Sequence, residues 1–385
     1  MFIIGELFTA LALLVNGVAQ ILYWLLFARI IVSWLPVDPY HNIVQFLIQV
    51  TDPIMAPFRR LPLQIGMLDL TPLVAFIALF FVRNVLVGIL VRLAQMTGSW
   101  PMAMKRMQKK APGLFQPVQQ AAAAIQRQTK NGFEPEIALI LGTGLGQLAR
   151  KIKPHTVIEY AKIPHFPKVT AESHRGRLVL GTLAGRRVAA MEGRFHFYEG
   201  YSMQEVTFPV RVLRLLGIKK LVVTNAAGGL NLNYRKGELV LIEDHINFMG
   251  ANPLIGSNDP RLGLRFPDMA APYSARLVSL TEQAAREKKV SVRRGVYVGV
   301  SGPCLETRAE YRMMRSWGAD LVGMSTVPEV IVGVHMGMEI LGISIVTDVC
   351  DPDHLAPVDI EEIIRTANAA GPQLDKLVEA AIVKF

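Results

Sequence analysis

At 385 residues the chain is long enough for two or three domains, but 51% apolar content and a mean hydropathy of +0.32 argue against a purely soluble protein. The formal net charge of +10 divides evenly, with nine Lys/Arg against four Asp/Glu in residues 1–113 and 32 against 27 beyond, so no nucleic-acid-binding stripe is implied. Cys304 and Cys350 are too few for a disulfide framework and lack the Cys-x-x-Cys spacing of a zinc or redox site, so both read as reduced, packed thiols.

The apolar excess lies near the start. Phe2 to Leu35 is almost unbroken Leu, Ile, Val, Phe and Ala, longer than the roughly 20 residues that cross a hydrocarbon core. A cleaved signal peptide is disfavoured, because a basic leading region is missing, Glu6 is present, and the run outlasts the usual apolar core. Residues 42–58 carry Ile43, Phe46, Leu47 and Val50 ahead of Pro53, Pro57 and Arg59-Arg60, the pattern of an interfacial helix. A second run, Leu70 to Ala94, is interrupted by Arg83 and Asn84, which must snorkel, pair with the other helix or sit shallow. Arg92, Lys105, Arg106, Lys109 and Lys110 follow that run, whereas the connecting loop offers mainly Arg59 and Arg60; this asymmetry places both termini in the cytoplasm.

The stretches "ARIIVSWLPVDPYHNIVQFLIQVTDPIMAPFRRLP" and "LDLTPLVAF" resemble the YggT family of small bacterial membrane proteins over most of residues 15–95. The resemblance implies no catalytic role; on the plainer reading any two-span hairpin can anchor an enzyme, and Arg83 or Asp52 then needs no function beyond topology. Residues 1–98 are thus expected to form a two-span membrane domain. Residues 99–114, with Trp100, Pro101 and Pro112 among basic residues, read as a juxtamembrane linker.

From residue 115 the pattern becomes that of an α/β domain. A helical stretch, Val118 to Thr129, precedes a buried strand, "IALIL", that runs into Gly142-Thr143-Gly144-Leu145-Gly146, a strand-to-loop anion cradle. The spacing is Gly-x-Gly-x-Gly, not a dinucleotide fingerprint, so alone it is weak. Further apolar strands are expected at 177–183, 187–191, 220–224, 238–243, 296–300 and 340–346, with helices between several of them. Several of these strands run into polar clusters, 192–199, 224–229, 301–307 and 347–351, which suggests one composite site at the strand ends.

Five blocks, "MEGRFHFYEGY", "VVTNAAGGLN", "EDHINFMGANPL", "GPCLETRAEYR" and "WGADLVGMSTVPEV", resemble in order the trimeric purine nucleoside phosphorylase family. The resemblance implies an α/β phosphorylase domain at 115–385, with a central mixed sheet flanked by helices, behind an α-helical two-span membrane hairpin. It implies phosphorolysis of a purine nucleoside to base and ribose 1-phosphate, no metal or organic cofactor, and a homotrimer; phosphate is a co-substrate.

For phosphate, the resemblance points to Thr143, His174, Arg194, His196, the backbone around Ala226, and Ser325, all of which can donate to an oxyanion. Arg194 and His196 are alternate residues, so an extended backbone projects both to one side. For the nucleoside it points to Tyr198, Leu305, Glu306, Met324 and Asp348, with His196, Glu306 and Asp348 as the catalytic set. Glu306 matches the glutamate that accepts from the ring N–H of hypoxanthine or guanine and repels the acceptor nitrogen of adenine. As a plain structural residue Glu306 would cap the helix expected at 307–317. Asp348 stands where 6-oxopurine enzymes carry Asn, and it donates to a 6-oxo oxygen only when protonated. Leu305 replaces a family aromatic, and the histidine that contacts the sugar 5′-hydroxyl has no counterpart, with Ile360 or Asp359 expected nearby. Inosine and guanosine lead as substrates. The alternatives are a methylthio- or 6-amino-purine nucleoside phosphorylase, or a noncatalytic membrane-associated binding protein.

Overall fold

The computed structural model describes residues 2–34, 41–61, 64–65, 68–96, 113–129, 132–142, 147–168, 175–355 and 357–385. The chain divides into two compact units, Met1–Lys110 and Ala111–Phe385. Residues 99–112 of the expected linker lie outside the described residues, as do Thr143 and His174.

In the first unit, α1 (Phe2–Trp34) is followed by α2 (Asn42–Met55), a minimal hairpin of β1 (Gln64–Ile65) and β2 (Leu68–Asp69), and α3 (Thr71–Met96). Ala10–Val32 and Thr71–Leu90 are both long and apolar enough to cross a membrane. Leu26, Met55 and Ala75 form a small core between the three helices. Of the three options open to Arg83, the structure shows pairing with the other helix: its guanidinium donates to Oδ1 of Asn16 on α1 and of Asn84. Asp52 on α2 meets Arg29 of α1 at 3.9 Å.

The second unit opens with α4 (Phe115–Gln128), which begins three residues before the expected Val118. There follow β3 (Ile137–Leu141), α5 (Gln147–Lys151), β4 (Lys153–Glu159), β5 (Arg177–Leu183), β6 (Arg186–Glu192), α6 (Met203–Leu215), β7 (Lys220–Gly229) and β8 (Leu239–Phe248). The chain ends with α7 (Ala275–Lys288), β9 (Val292–Val300), α8 (Arg308–Ser316), β10 (Leu321–Gly323), α9 (Val327–His335), β11 (Glu339–Val349) and α10 (Ile360–Ile382).

The strands form one mixed sheet in the order β10-β9-β8-β11-β7-β3-β6-β5-β4. Its central strands are buried on both faces, as helices on either side require. In β3, Ala138 and Ile140 join the core shared with Val118 of α4, Phe208 of α6 and Val330 of α9. Ile137, Leu139 and Leu141 join the opposite core, shared with Leu277 of α7 and Leu374 of α10. The two-residue repeat of a strand therefore divides one apolar run between two layers of helix.

Two features were not anticipated. Strand β10 pairs in parallel with β9 and also antiparallel with β7, so five strands close on themselves and bring the ends of β7, β9, β10 and β11 together. In β11 the register against β7 slips between Val346 and Asp348, a bulge that re-aims the side chains following it.

Candidate active site

A cavity of about 220 Å³ opens where these strands end. Arg194, His196, Ala226 and Ser325 of the expected phosphate set line it, together with all five residues of the expected nucleoside set, Tyr198, Leu305, Glu306, Met324 and Asp348. Nine residues spread over 155 positions of sequence thus meet in one hollow.

The arginine and histidine arrive by a turn. Beyond β6, Gly193 has φ 112°, a left-handed conformation that favours glycine, and the chain then carries Arg194 and His196 into the cavity wall. Arg194 is 2% exposed; its guanidinium donates to Ser325 Oγ at 2.9 Å, Thr326 Oγ1 at 3.2 Å and the carbonyls of Thr224 and Ile140. Glu329, 3% exposed on α9, lies 3.4 Å from the same group. Burial raises the Glu329 carboxyl above the usual range, against the opposing pull of Arg194. The Nδ1 and backbone N–H of His196 both meet Glu199 Oε1, at 2.7 and 2.9 Å, and the ring stacks on Tyr198 with centroids 4.8 Å apart. The ring orientation is therefore set from two directions.

Ser325 precedes α9, whose first turn contains Pro328 as its fixed φ allows. The capping residue is Thr326, at φ 68° and ψ −55°, a positive-φ conformation that is costly for a β-branched residue. Its hydroxyl does not cap the helix but accepts from Arg194 and from Asn225 Nδ2, the latter at 2.9 Å. Thr326, Asn225 and Glu329 escaped sequence reasoning. The motif placed the arginine, and nothing in it announced what a buried guanidinium needs around it.

On another wall, Glu306 is released from capping. Thr307 and Glu310 form a reciprocal capping box at the start of α8, with Glu310 Oε2 accepting from Thr307 N–H at 2.7 Å and from its hydroxyl at 2.8 Å. The Glu306 carboxyl is raised above its ordinary range, chiefly by burial and further by Asp348, while a hydrogen bond from Tyr311 opposes the shift. Thr307→Ala is expected to cost about 1 kcal/mol of stability in denaturant melts and to raise KM for nucleoside, because α8 carries Tyr311.

The bulge in β11 sends Asp348 to the cavity, with Thr347 Oγ1 at 2.8 Å from Oδ1 and Cys350 Sγ at 3.3 Å from Oδ2. The position expected near Ile360 or Asp359 is filled differently. Asp359 caps α10 by accepting from Glu361 N–H at 2.8 Å and pairs with Arg365, and Ile360 is 58% exposed. One turn further on, Ile363 lines the cavity, because α10 starts at residue 360 and its inward face falls there.

Residues 136–383 match the family model described as the phosphorylase superfamily, and residues 8–90 match CCB3/YggT. Purine nucleoside phosphorylase 1 of Bacillus subtilis is 49% identical over 268 residues, covering 70% of this chain and 98% of the relative. The chain belongs to the purine nucleoside phosphorylase family. Among solved structures, isoform 2 of the Schistosoma mansoni enzyme, in complex with cytosine and ribose-1-phosphate, is 39% identical with a TM-score of 0.67, covering 70% of this chain and 97% of that one. A schistosoma purine nucleoside phosphorylase in complex with hypoxanthine is 41% identical with a TM-score of 0.66, over the same shares. The family membership rests on the second unit, and the first is a separate family segment joined ahead of it.

Proposed function

We propose that this protein cleaves purine ribo- and deoxyribonucleosides with inorganic phosphate, inosine and guanosine foremost, in purine salvage. The observation that carries the reading is that one cavity holds an arginine, a histidine and a serine on one wall and two carboxylates, Glu306 and Asp348, on another. Phosphate attack at the anomeric carbon develops positive charge on the sugar and negative charge on the departing base, so the pocket must hold a dianion beneath the ribose and stabilise the purine.

Ser325, His196 and the backbone around Ala226, with Arg194 behind them, are assigned to phosphate; Thr143 and His174 are assigned there from the family resemblance. Tyr198 and Met324 flank the ribose, and Leu305 walls the purine face. A phosphate oxygen bonds to C1′ as the C1′–N9 bond breaks and its electron pair leaves with the base. The proton lost by phosphate ends on the purine. Glu306 accepts from the N1–H of a 6-oxopurine, and Asp348 accepts from N7–H. No metal or organic cofactor is assigned a step.

The first unit is assigned to membrane anchorage as a multi-pass hairpin, with the second unit on the cytoplasmic side. The apolar α1 and α3 and the cluster of basic residues after α3 support this reading. The assembly is assigned as a homotrimer on the family resemblance.

Phosphate-dependent release of hypoxanthine from inosine by the membrane fraction tests the reading, and absence of turnover with every purine nucleoside overturns it. A 6-amino or 5′-methylthio nucleoside is the second reading, favoured by Asp348 and by the apolar Ile363 on the cavity wall. Asp348→Asn is expected to raise the kcat/KM ratio of inosine to adenosine about tenfold or more, the worth of converting a repelled oxygen pair into a hydrogen bond. Parallel kinetics on the two nucleosides measure it.

A further inference from the structure

Cys350 and Tyr311 had no expected part in the chemistry, yet both line the cavity. The Cys350 thiol is buried and donates to Asp348 Oδ2 at 3.3 Å. Burial first, then the neighbouring Asp348, hold the thiol above its ordinary range, so sulfur keeps the proton it donates. Thr347 is a less dependable donor to the other oxygen. Its one hydroxyl hydrogen is shared between Asp348 Oδ1 at 2.8 Å and the Ala227 carbonyl at 3.2 Å.

The sulfur is also fixed in place. A Cβ added at Gly228 would sit 2.7 Å from Sγ, so the bare Cα of that residue is what admits the thiol beside β7. On its other side the Tyr311 hydroxyl, on a residue 2% exposed, neighbours the thiol and faces Glu306 as a donor. The thiol therefore gives its one proton to Asp348, and the phenol its one to Glu306. Asp348, accepting a hydrogen bond from a thiol that keeps its proton, meets the base as an acceptor.

We propose that Cys350 is a specificity-determining residue that, backed by Tyr311 and Gly228, keeps Asp348 an acceptor toward the purine edge and so admits 6-amino purine nucleosides alongside the 6-oxo class. The inference rests on the reading of Asp348 as the base-facing carboxylate. Replacing the thiol with a methyl group removes the donor that holds Oδ2, so a 6-amino group loses a fixed acceptor while a 6-oxo group loses nothing.

The test is the adenosine-to-inosine ratio of kcat/KM, measured on full-length protein in detergent for the native chain, Cys350→Ala, Cys350→Ser and Asp348→Asn. Cys350→Ala is expected to lower the ratio about fivefold to tenfold, the size of one ordinary hydrogen bond, as suits a weak S–H donor. Cys350→Ser, which restores a donor, is expected to stay within about twofold of native. The inference is overturned if native protein has no adenosine turnover, if Cys350→Ala slows both substrates equally, or if Cys350→Ser behaves as Cys350→Ala does. A ratio that moves in Asp348→Asn but not in Cys350→Ala removes the thiol's role and leaves the base-facing assignment intact. One that stays fixed in Asp348→Asn removes that assignment itself.

Discussion

Glu306→Gln should lower kcat/KM for inosine about 10²-fold while leaving KM for phosphate within about twofold. A carboxylate accepting from a ring N–H is worth about 1.5–3 kcal/mol, and its amide replacement must either accept more weakly or point a donor at a donor. Adenosine, whose corresponding nitrogen accepts, should lose far less, so the inosine preference collapses faster than activity does. The pH dependence distinguishes a ligand from a scaffold. Burial raises the Glu306 carboxyl above 4.5, and its ionised form is the stronger acceptor, so inosine turnover should fall as pH drops through that raised value. Glu306→Gln should lack this acid limb. The stability sign is opposite. A carboxyl raised by folding contributes stability below its unfolded value and loses it as pH rises through the folded one, so Glu306→Gln should melt no lower than native at neutral pH. A variant that lost inosine turnover only in proportion to lost folded protein would remove Glu306 from the base site.

The same residues show what a run of sequence carries about position. Glu306, Arg194 and Ser325 were legible because each sits in a block whose neighbours have fixed local tasks: Thr307 and Glu310 cap α8, Pro328 starts α9, and Gly193 turns the chain. The parallel strands were legible as apolar runs because both faces of the sheet are buried. The closure of the sheet through β10 was not. That strand is three residues long, Leu321–Gly323, and its double pairing is a property of its neighbours on both sides. The bulge at Thr347 was likewise hidden, since register belongs to a pair of strands and not to one. Of the two cysteines read as packed thiols, Cys304 is exposed and Cys350 is buried, but the hydrogen bond of Cys350 to Asp348 depends on that bulge and on the missing side chain of Gly228. Ile360 was placed from a sequence offset, and the phase of α10 moved the cavity position to Ile363.

Arg194→Met should damage phosphate binding and folding together, and the two losses can be separated. The guanidinium and the Glu329 carboxylate are 2% and 3% exposed and 3.4 Å apart, so removing the cation strands a buried negative charge. Breaking such a pair costs about 3–5 kcal/mol, enough to threaten a domain of ordinary stability. Burial already raises the Glu329 carboxyl above 4.5 with Arg194 present, and without Arg194 it must rise further. The folded variant then holds a proton that the unfolded chain releases. Its stability deficit should therefore be smallest below about pH 4.5, the unfolded value, and widen as pH climbs toward the folded one. Glu329→Gln in the same chain removes the stranded charge and should recover most of the melting temperature while flattening its dependence on pH. It restores no cation, so KM for phosphate should stay raised by about tenfold or more, the loss of one charge-assisted contact. Thermal melts in detergent from pH 4.5 to 8, set beside phosphate titrations of inosine turnover, measure both effects. Recovery of phosphate affinity in the double variant would show that Arg194 serves the fold alone.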